Sequence, residues 1–372
     1  MRTTVIRLSA VLAFVALTTY APLAPSGVAA LGAATGPQLR SIGPLAFAPD
    51  GMMYAADSLG STIYALDLGT QATGGAPGTA NVAGIDQKIA AMLGTEAKDI
   101  AITDLVVHPG THNSYIAVMR GQGPSAKPAL LRVDGAGKIA LVTTETLPYT
   151  SVTLANVKPA SGSETDFFGQ RTQSITQVKY ANGRVYVSGL SNEEFASKMW
   201  SVPYPFTKAD AGTSLEIFHD NHQQLETRAP MYAFVPYSIG GQSFIIGAYT
   251  CTPLVKFPIA DLKPNPGGKY RGATIAELGA GNRPIDMVVY NKGGKDYLLM
   301  ANTSRGVMKI ATDTFGSAKA ITTPSNAETA GVPFETVRSM QGVQQLDVLD
   351  ATHSIVLQKQ GASANLQAVD LP

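Results

Sequence analysis

The sequence is poor in cysteine and in charge. Cys251 is the only cysteine among 372 residues, so the chain cannot form a disulfide within itself, and its stability must come from a buried core and paired strands. Charged residues make up only 15% of the chain, with 28 basic residues against 27 acidic ones. A chain with so balanced a charge lacks the basic surface that nucleic acids attract, so we expect no nucleic-acid partner.

Long apolar runs are also absent, except near the N-terminus. There Arg2 and Arg7 precede an apolar run from Leu8 to about Ala21, and small residues continue to Ala30. This order is typical of a secretory signal peptide, because the run is shorter than the roughly 20 apolar residues of a membrane-spanning helix. We therefore predict a signal peptide at 1–30 and a periplasmic or secreted chain at 31–372, with no membrane span after cleavage.

Several catalytic and cofactor motifs are missing as well. The chain contains no G-x-S-x-G nucleophile elbow, no P-loop, no H-E-x-x-H zinc motif and no C-x-x-C-H haem attachment site. The sequence therefore predicts no catalytic residue and favours a binding protein over an enzyme, without deciding between them.

What the chain has in abundance is glycine, proline and a repeated strand pattern. The segment FVPYSIGGQSFIIGAY at 234–249 matches MVVYNKGGKDYLLMAN at 287–302 without a gap: an apolar strand, a Gly-Gly turn and a second apolar strand. Related pairs, each followed by a third strand, begin near residues 44, 104, 177, 232, 285 and 344. Their mean spacing is about 60 residues, which suits a four-stranded repeat unit.

Six such units predict an all-β fold, a six-bladed β-propeller of four-stranded antiparallel blades. Stacking blades around an axis covers sheet faces that a lone sheet would leave in water. A fourth strand follows most units, for example at 138–147 and 318–323, but the last unit ends with its third strand. We therefore expect PQLRSIG at 37–43 to complete that blade, so that N- and C-terminal strands close the ring. The alternative is an open β-sandwich or two unrelated β domains.

One blade carries a likeness to a known group. The segment GPLAFAPDGMMYAADSLGSTIYALD at 43–67 resembles a blade of the NHL-repeat and SMP-30/gluconolactonase-like six-bladed propellers, and weaker copies extend the likeness over the mature chain. The resemblance implies the same fold. The lactonase members of this group hold a divalent metal through a Glu near the first blade together with Asn and Asp from later blades, so the resemblance also raises the possibility of a metal-dependent lactonase. At the place of that Glu this chain has Ser41-Ile42-Gly43.

Two histidines and the lone thiol belong to loops on one face of the predicted propeller. In an antiparallel blade, the loop between strands two and three emerges on the same side as the loop that enters the next blade. His219 and His222 lie in the loop that enters blade 4, and Cys251 lies between the second and third strands of that blade. A thiolate with two imidazoles is a soft ligand set, which predicts a Cu or Zn site. Alternatively, Cys251 is a small buried residue that fills a loop.

Arginines recur shortly before the first strand of several blades, and others end second strands on the same face. Guanidinium groups gathered in a concave mouth favour carboxylate or phosphate ligands. We therefore predict a site for a small anionic ligand, and its predicted lining is Arg228, Arg283, Arg338, Arg305, Tyr249 and Asn302. Alternatively, each arginine pairs with a local acid and ties one blade to the next.

Two insertions thicken this face. Apolar residues at helical spacing predict a short amphipathic helix within 85–98, and the connection at 150–173 is long enough to form a lid or a partner surface, with Phe167 and Phe168 as its anchor. The sequence as a whole predicts an exported propeller that binds a small anionic ligand, a metal ion or a partner protein at the channel mouth. The alternatives are a metal-dependent hydrolase or lactonase and a structural scaffold in an envelope complex.

Overall fold

The computed structural model describes residues 36–159, 171–251, 253–325 and 327–372, so the predicted signal peptide and the Phe167-Phe168 anchor lie outside the described residues. Within these ranges, six small antiparallel sheets form a ring, which confirms the predicted six-bladed β-propeller. None of the described helices is long and apolar enough to cross a membrane.

We number the blades by the order of their first strands along the chain. Blade 1 contains β1 (Leu45–Phe47), β2 (Met53–Asp57), β3 (Thr62–Leu66) and β9 (Tyr149–Thr153). Blade 2 contains β5 (Ile100–Val107), β6 (Ser114–Arg120), β7 (Lys127–Val133) and β8 (Ile139–Val142). Blade 3 contains β10 (Gln177–Ala181), β11 (Arg184–Leu190), β12 (Ser197–Pro203) and β13 (Thr213–His219), extended by β14 (Gln224–Glu226) and by a parallel pairing with β18 (Tyr270–Arg271).

The other three blades follow the same plan. Blade 4 contains β15 (Met231–Ile239), β16 (Gln242–Tyr249), β17 (Pro253–Pro258), β19 (Ala273–Glu277) and β23 (Ala330–Gly331). Blade 5 contains β20 (Pro284–Lys292), β21 (Lys295–Asn302), β22 (Gly306–Ala311) and β24 (Glu335–Val337). Blade 6 contains β25 (Val343–Val348), β26 (His353–Gln360), β27 (Ser363–Asp370) and β4 (Asn81–Val82).

Helices are few in the described residues. The α-helices are α1 (Thr70–Thr73) and α2 (Ile85–Met92), and the short 3-10 helices are Ala97–Asp99, Gly123–Ser125, Thr144–Thr146, Arg171–Ser174, Asp220–His222, Ile259–Asp261 and Arg338–Met340. Helix α2 confirms the helix predicted within 85–98. It buries Ile85, Ile89 and Ala90, and it packs against β27.

Tight turns between the first two strands follow directly from the sequence. The two-residue loops Gly240-Gly241 and Gly293-Gly294 have positive φ at both residues, as does Asn182-Gly183. Two consecutive positive φ values define the type I′ turn, whose twist matches that of antiparallel strands and which glycine and asparagine adopt at low cost. The Gly-Gly and Asn-Gly pairs therefore set the register of three blades.

The order of blades around the ring differs from their order in the chain. The inner strands contact one another in the cycle β1, β10, β15, β20, β25, β5 and back to β1, so blade 2 lies between blades 6 and 1. Six apolar clusters fill the spaces between neighbouring blades. Trp200, for example, is fully buried in a cluster that joins blades 1 and 3.

Closure of the ring corrects one prediction. Residues 37–43 form no strand, and the fourth strand of blade 6 is instead β4, which pairs antiparallel with β27 through Val82 opposite Leu366. The fourth strand of blade 1 is β9, which the chain reaches only after it has built blade 2. Two strands thus tie blade 2 to both of its neighbours in the ring.

The fourth strand of blade 5 was also predicted at the wrong place. Residues 318–323 contain no strand, although the amide of Ile321 donates one hydrogen bond to the carbonyl of Thr274 at 2.8 Å. After β22 the chain first adds the short strand β23 to the outer edge of blade 4. It then returns to blade 5 and supplies the fourth strand of that blade as β24.

Aspartates accept hydrogen bonds from amides at the inner edges of neighbouring blades. Asp104 accepts a hydrogen bond from the amide of Leu45 at 2.6 Å, which joins blade 2 to blade 1. In the same way Asp347 accepts from the amide of Val107 at 2.7 Å, which joins blade 6 to blade 2. The innermost strand of a blade has no further strand to satisfy its amides, so these carboxylates supply the missing acceptors.

The same aspartates form a charged group near the axis. The ammonium of Lys179 in blade 3 lies 3.7 Å from a carboxylate oxygen of Asp286 in blade 5, with blade 4 between them in the ring. Burial raises the pKa of Asp347 to about 6, because Lys179 and two amide donors offset only part of the desolvation. Burial and the nearby Asp286 carboxylate also raise the pKa of Asp104. The side chains of Lys179, Asp286 and Asp104, which come from three different blades, therefore lie close enough to interact near the axis of the ring.

Asp347→Asn is expected to change how stability depends on pH. Because the folded pKa of Asp347 is raised to about 6 from its ordinary 3.8, its contribution to stability is complete below about pH 4 and is lost as pH rises through about 6. The free energy of unfolding of the wild type, relative to the variant, should fall by about 2 kcal/mol between pH 4 and 7. Urea titrations at several pH values measure this difference.

The control for this experiment is Asp313→Asn, since Asp313 is exposed. Its stability relative to the wild type should stay constant over the same pH range. A pH-independent difference for Asp347→Asn as well would contradict the buried-carboxylate interpretation.

Candidate metal centre

A hairpin at the outer edge of blade 3 carries both candidate histidines. Strand β13 ends at His219, a single 3-10 turn spans Asp220–His222, and β14 returns alongside β13. Gln223 closes the turn in the left-handed conformation, with φ 55°. The register pairs His219 with Gln224 and Ile217 with Glu226, so the side chains of His219 and Glu226 share one face of the hairpin.

The loop between β16 and β17 of blade 4 carries the thiol. Cys251 is half-buried and has φ 60°, a left-handed conformation that few residues other than glycine adopt. Its amide donates to the carbonyl of Asn282 at 2.7 Å, and its carbonyl accepts from the side-chain amide of Asn221 at 3.4 Å. Hydrogen bonds from blade 5 and from the blade 3 hairpin therefore hold the cysteine backbone in this conformation.

The structure brings the two histidines and the cysteine together. One ligand atom from each of His219, His222 and Cys251 lies within 4.8 Å of the others, and no other group of three such residues was found in the described part of the chain. Donor atoms of one bound ion, each about 2.0–2.3 Å from it, lie roughly 3.5–4 Å apart. A closing movement of about 1 Å by the two side chains nearer the surface would meet this requirement. Whether a metal binds there stays a prediction.

Glu226 orients both imidazoles. Its two carboxylate oxygens contact Nδ1 of His219 at 2.8 Å and Nδ1 of His222 at 2.5 Å, and the two rings lie 3.8 Å apart. A carboxylate accepts hydrogen bonds and does not donate them, so each Nδ1 carries the proton and each Nε2 presents a lone pair. His219 is 1% exposed, and its Nε2 has no hydrogen-bond partner.

Carboxylates surround the site. Burial alone would raise the pKa of Glu226, but hydrogen bonds from the two histidines lower it to about 2, so Glu226 is ionised at neutral pH. Burial raises the pKa of Glu277 to about 8, helped by the nearby carboxylates of Asp220 and Glu226. Glu277 accepts from the amide of Asp220 at 2.8 Å and from the side chain of Asn221 at 3.0 Å, which fixes the turn that carries His222.

Two of the predicted anion-site residues are buried. Tyr249 is fully buried in the core between blades 3 and 4, so it does not line a surface. Asn302 is also buried, and its side chain bonds to Asn282 and to two backbone carbonyls. Beside it, a cavity of about 310 Å³ opens between blades 5 and 6, lined also by Gln341 and Lys359.

The four arginines have different surroundings. Arg305 pairs with Glu328 at 2.7 Å, as the alternative of local ion pairs predicts. Arg283 is exposed and stacks on the ring of Tyr232 at 4.9 Å. Arg228 and Arg338 are exposed, and neither has a carboxylate partner among the described residues. Their role in anion binding stays a prediction.

Sequence reasoning missed the role of Glu226. Glu226 lies four residues after His222 and seven after His219, and this spacing alone indicates no contact. A turn at Asp220–His222 followed by an alternating QLE strand was the available signal, because a hairpin there puts the glutamate beside the first histidine.

Comparisons with known proteins show likeness of fold alone. No protein-family model matches the sequence, and no curated protein is similar to it. The structure is similar to an oxidoreductase (glucose dehydrogenase) of Thermus thermophilus, with 12% identity and a TM-score of 0.35 over 90% of this chain and 98% of that one. It is also similar to the PQQ-bound aldose sugar dehydrogenase of Streptomyces coelicolor, with 11% identity and a TM-score of 0.32 over 90% and 95% of the chains.

A third similar structure is an engineered GH43 glycoside hydrolase with endo-xylanase and exo-arabinofuranosidase activity. It shows 15% identity and a TM-score of 0.35 over 73% of this chain and 50% of that one. Likenesses this weak carry no information about the ligand or activity of this protein.

Glu226→Gln is expected to destabilise the fold at pH 7. Glu226 is the common acceptor for two imidazole donors, and a glutamine side chain would keep one acceptor but present an amide group to the second donor. The expected loss is about 2 kcal/mol in the free energy of unfolding, from denaturant titration of the metal-free protein. Glu328→Gln is the control, because Glu328 is 73% exposed, and it should change stability by less than about 0.5 kcal/mol. Equal effects from the two variants would show that Glu226 does not hold the histidines.

Proposed function

We propose that this propeller binds one copper or zinc ion through His219, His222 and Cys251. The observation that carries this proposal is the Nε2 atom of His219, which is buried and unpartnered in a residue that belongs to the three-ligand group. A buried polar atom without a partner costs free energy, and a metal ion is the partner that a neutral imidazole Nε2 beside a thiol and a second imidazole would take.

The arrangement around the ligands supports the same proposal. Metal-binding histidines commonly donate their other ring nitrogen to a carboxylate, which fixes the tautomer and makes the free nitrogen a better ligand. Glu226 accepts from both histidines at once. The proton on each Nδ1 therefore leaves each Nε2 free to act as a metal ligand.

The soft ligand set limits the ions concerned. Thiolate and imidazole favour Cu(I) and Zn²⁺ over the hard cations Ca²⁺ and Mg²⁺, which take oxygen ligands. The lactonase alternative relies on a glutamate near the first blade, where this chain has Ser41 bonded to Asp57. We therefore favour a soft-metal protein over a hydrolase of that type.

A small anionic ligand at the same face is a second candidate function. It is favoured by the exposed guanidinium groups of Arg228, Arg283 and Arg338, which have no carboxylate partner among the described residues. An exported location also stays part of the proposal, since copper and zinc proteins with a single thiol are compatible with an oxidising compartment.

The test is metal analysis of the full chain purified under reducing conditions. We expect about one equivalent of copper or zinc per chain, and at least a tenfold loss of affinity in Cys251→Ser and His222→Ala. The matched control is His353→Ala, because His353 is a partly exposed histidine paired with Asp350 at a turn in blade 6, and it should bind metal as the wild type does.

Two results would contradict the proposal. One is a chain that takes up neither metal at micromolar concentrations. The other is undiminished binding in Cys251→Ser and His222→Ala, with circular dichroism showing that both variants keep the wild-type fold.

A further inference from the structure

We propose that the site is a three-coordinate copper centre that exchanges one electron between Cu(I) and Cu(II); this inference rests on the proposed function. It concerns which metal the site selects and what that metal does there. Three features carry it: the number of free ligand atoms, the fixed positions of the ligands, and the exposure of one imidazole.

Three ligand residues are grouped at the site, and the neighbouring carboxylates accept hydrogen bonds that shape it. Both oxygens of Glu226 accept from the histidine rings. Asp220 accepts from the amide and the hydroxyl of Ser325. Glu277 accepts from the backbone of the turn and from Asn221. These carboxylates hold the turn and the imidazole rings, and the ligand atoms grouped at the site come from two histidines and one cysteine.

A set of two imidazoles and one thiolate has a known preference. Structural zinc sites are almost always closed by four protein ligands, whereas a trigonal set of two histidines and one cysteine is the ligand set of electron-transfer copper sites. Among the described residues, the fourth ligand that a structural zinc site needs is missing. Zinc would have to complete its shell with water.

The imidazole rings and the backbone of the cysteine are held before any metal arrives. Glu226 fixes both imidazoles, and the backbone of Cys251 is held on one side by the carbonyl of Asn282 and on the other by the amide of Asn221. Ligands fixed by outside hydrogen bonds change position little when the ion changes charge. A small change in geometry is what rapid exchange of one electron requires.

The three ligand residues differ in exposure. His219 is buried, Cys251 is half-buried, and the side chain of His222 is 43% exposed. The exposed imidazole can therefore pass an electron to or from a molecule at the surface, while the thiolate stays partly shielded from oxidants.

The proposed redox step transfers one electron and no atoms. Cu(I) gives one electron to a one-electron oxidant and becomes Cu(II), and a reductant such as ascorbate returns that electron. No bond to the three ligands is made or broken, no proton moves, and the thiolate is not itself oxidised.

The experiment uses the full chain, loaded with one equivalent of Cu(I) without oxygen and then titrated with hexacyanoferrate(III). We expect one electron per copper, a visible thiolate-to-Cu(II) absorption band, and full loss of the band after ascorbate. Cys251→Ser should weaken the band more than tenfold. His222→Ala should abolish the reversible cycle, and His353→Ala should match the wild type.

Failure of this inference differs from failure of the proposed function. Absence of both copper and zinc from the protein overturns both. Stoichiometric metal binding overturns the redox inference alone if equimolar zinc displaces copper, or if oxidation releases Cu(II) or links two chains through Cys251. Reversible one-electron oxidation that depends on Cys251 supports it.

Discussion

Closure of the ring is the constraint on which the rest of the structure depends. Each blade is a small sheet with apolar residues on both faces, and only neighbours on both sides remove those faces from water. The two residues of β4 and the five of β9 anchor blade 2 between blades 6 and 1. Local strand pairing thus completes a core that extends through all six blades.

The candidate metal centre is a product of that closure. Its histidines come from the outer hairpin of blade 3, its thiol from a loop of blade 4, and the carbonyl that holds the thiol from Asn282 at the entry to blade 5. Packing of successive blades brings these segments together at one edge of the ring. Hydrogen bonds from the imidazole of His219 to Glu226 and from Asn221 to the carbonyl of Cys251 then fix the arrangement of these segments.

The sequence repeat predicted the strands within each blade well, but it did not predict which blades are adjacent in the ring. The first three strands of every blade, the Gly-Gly turns and helix α2 lie where the pattern indicates, because each depends on residues close together in the chain. The position of blade 2 and the strand β4 could not be predicted. A two-residue strand has no pattern of its own, and repeat spacing counts units without saying which of them touch.

The candidate site divides in the same way. The types of ligand at His219, His222 and Cys251, and the face they share, were readable from residue chemistry and the alternation of strand direction. The enclosure of Tyr249, the pairing of Arg305 with Glu328 and the part played by Glu226 were not. The type of a residue determines what its side chain is able to bind. Burial and hydrogen-bond partners instead depend on contacts between residues far apart in the chain, and these contacts arise only when the ring has closed.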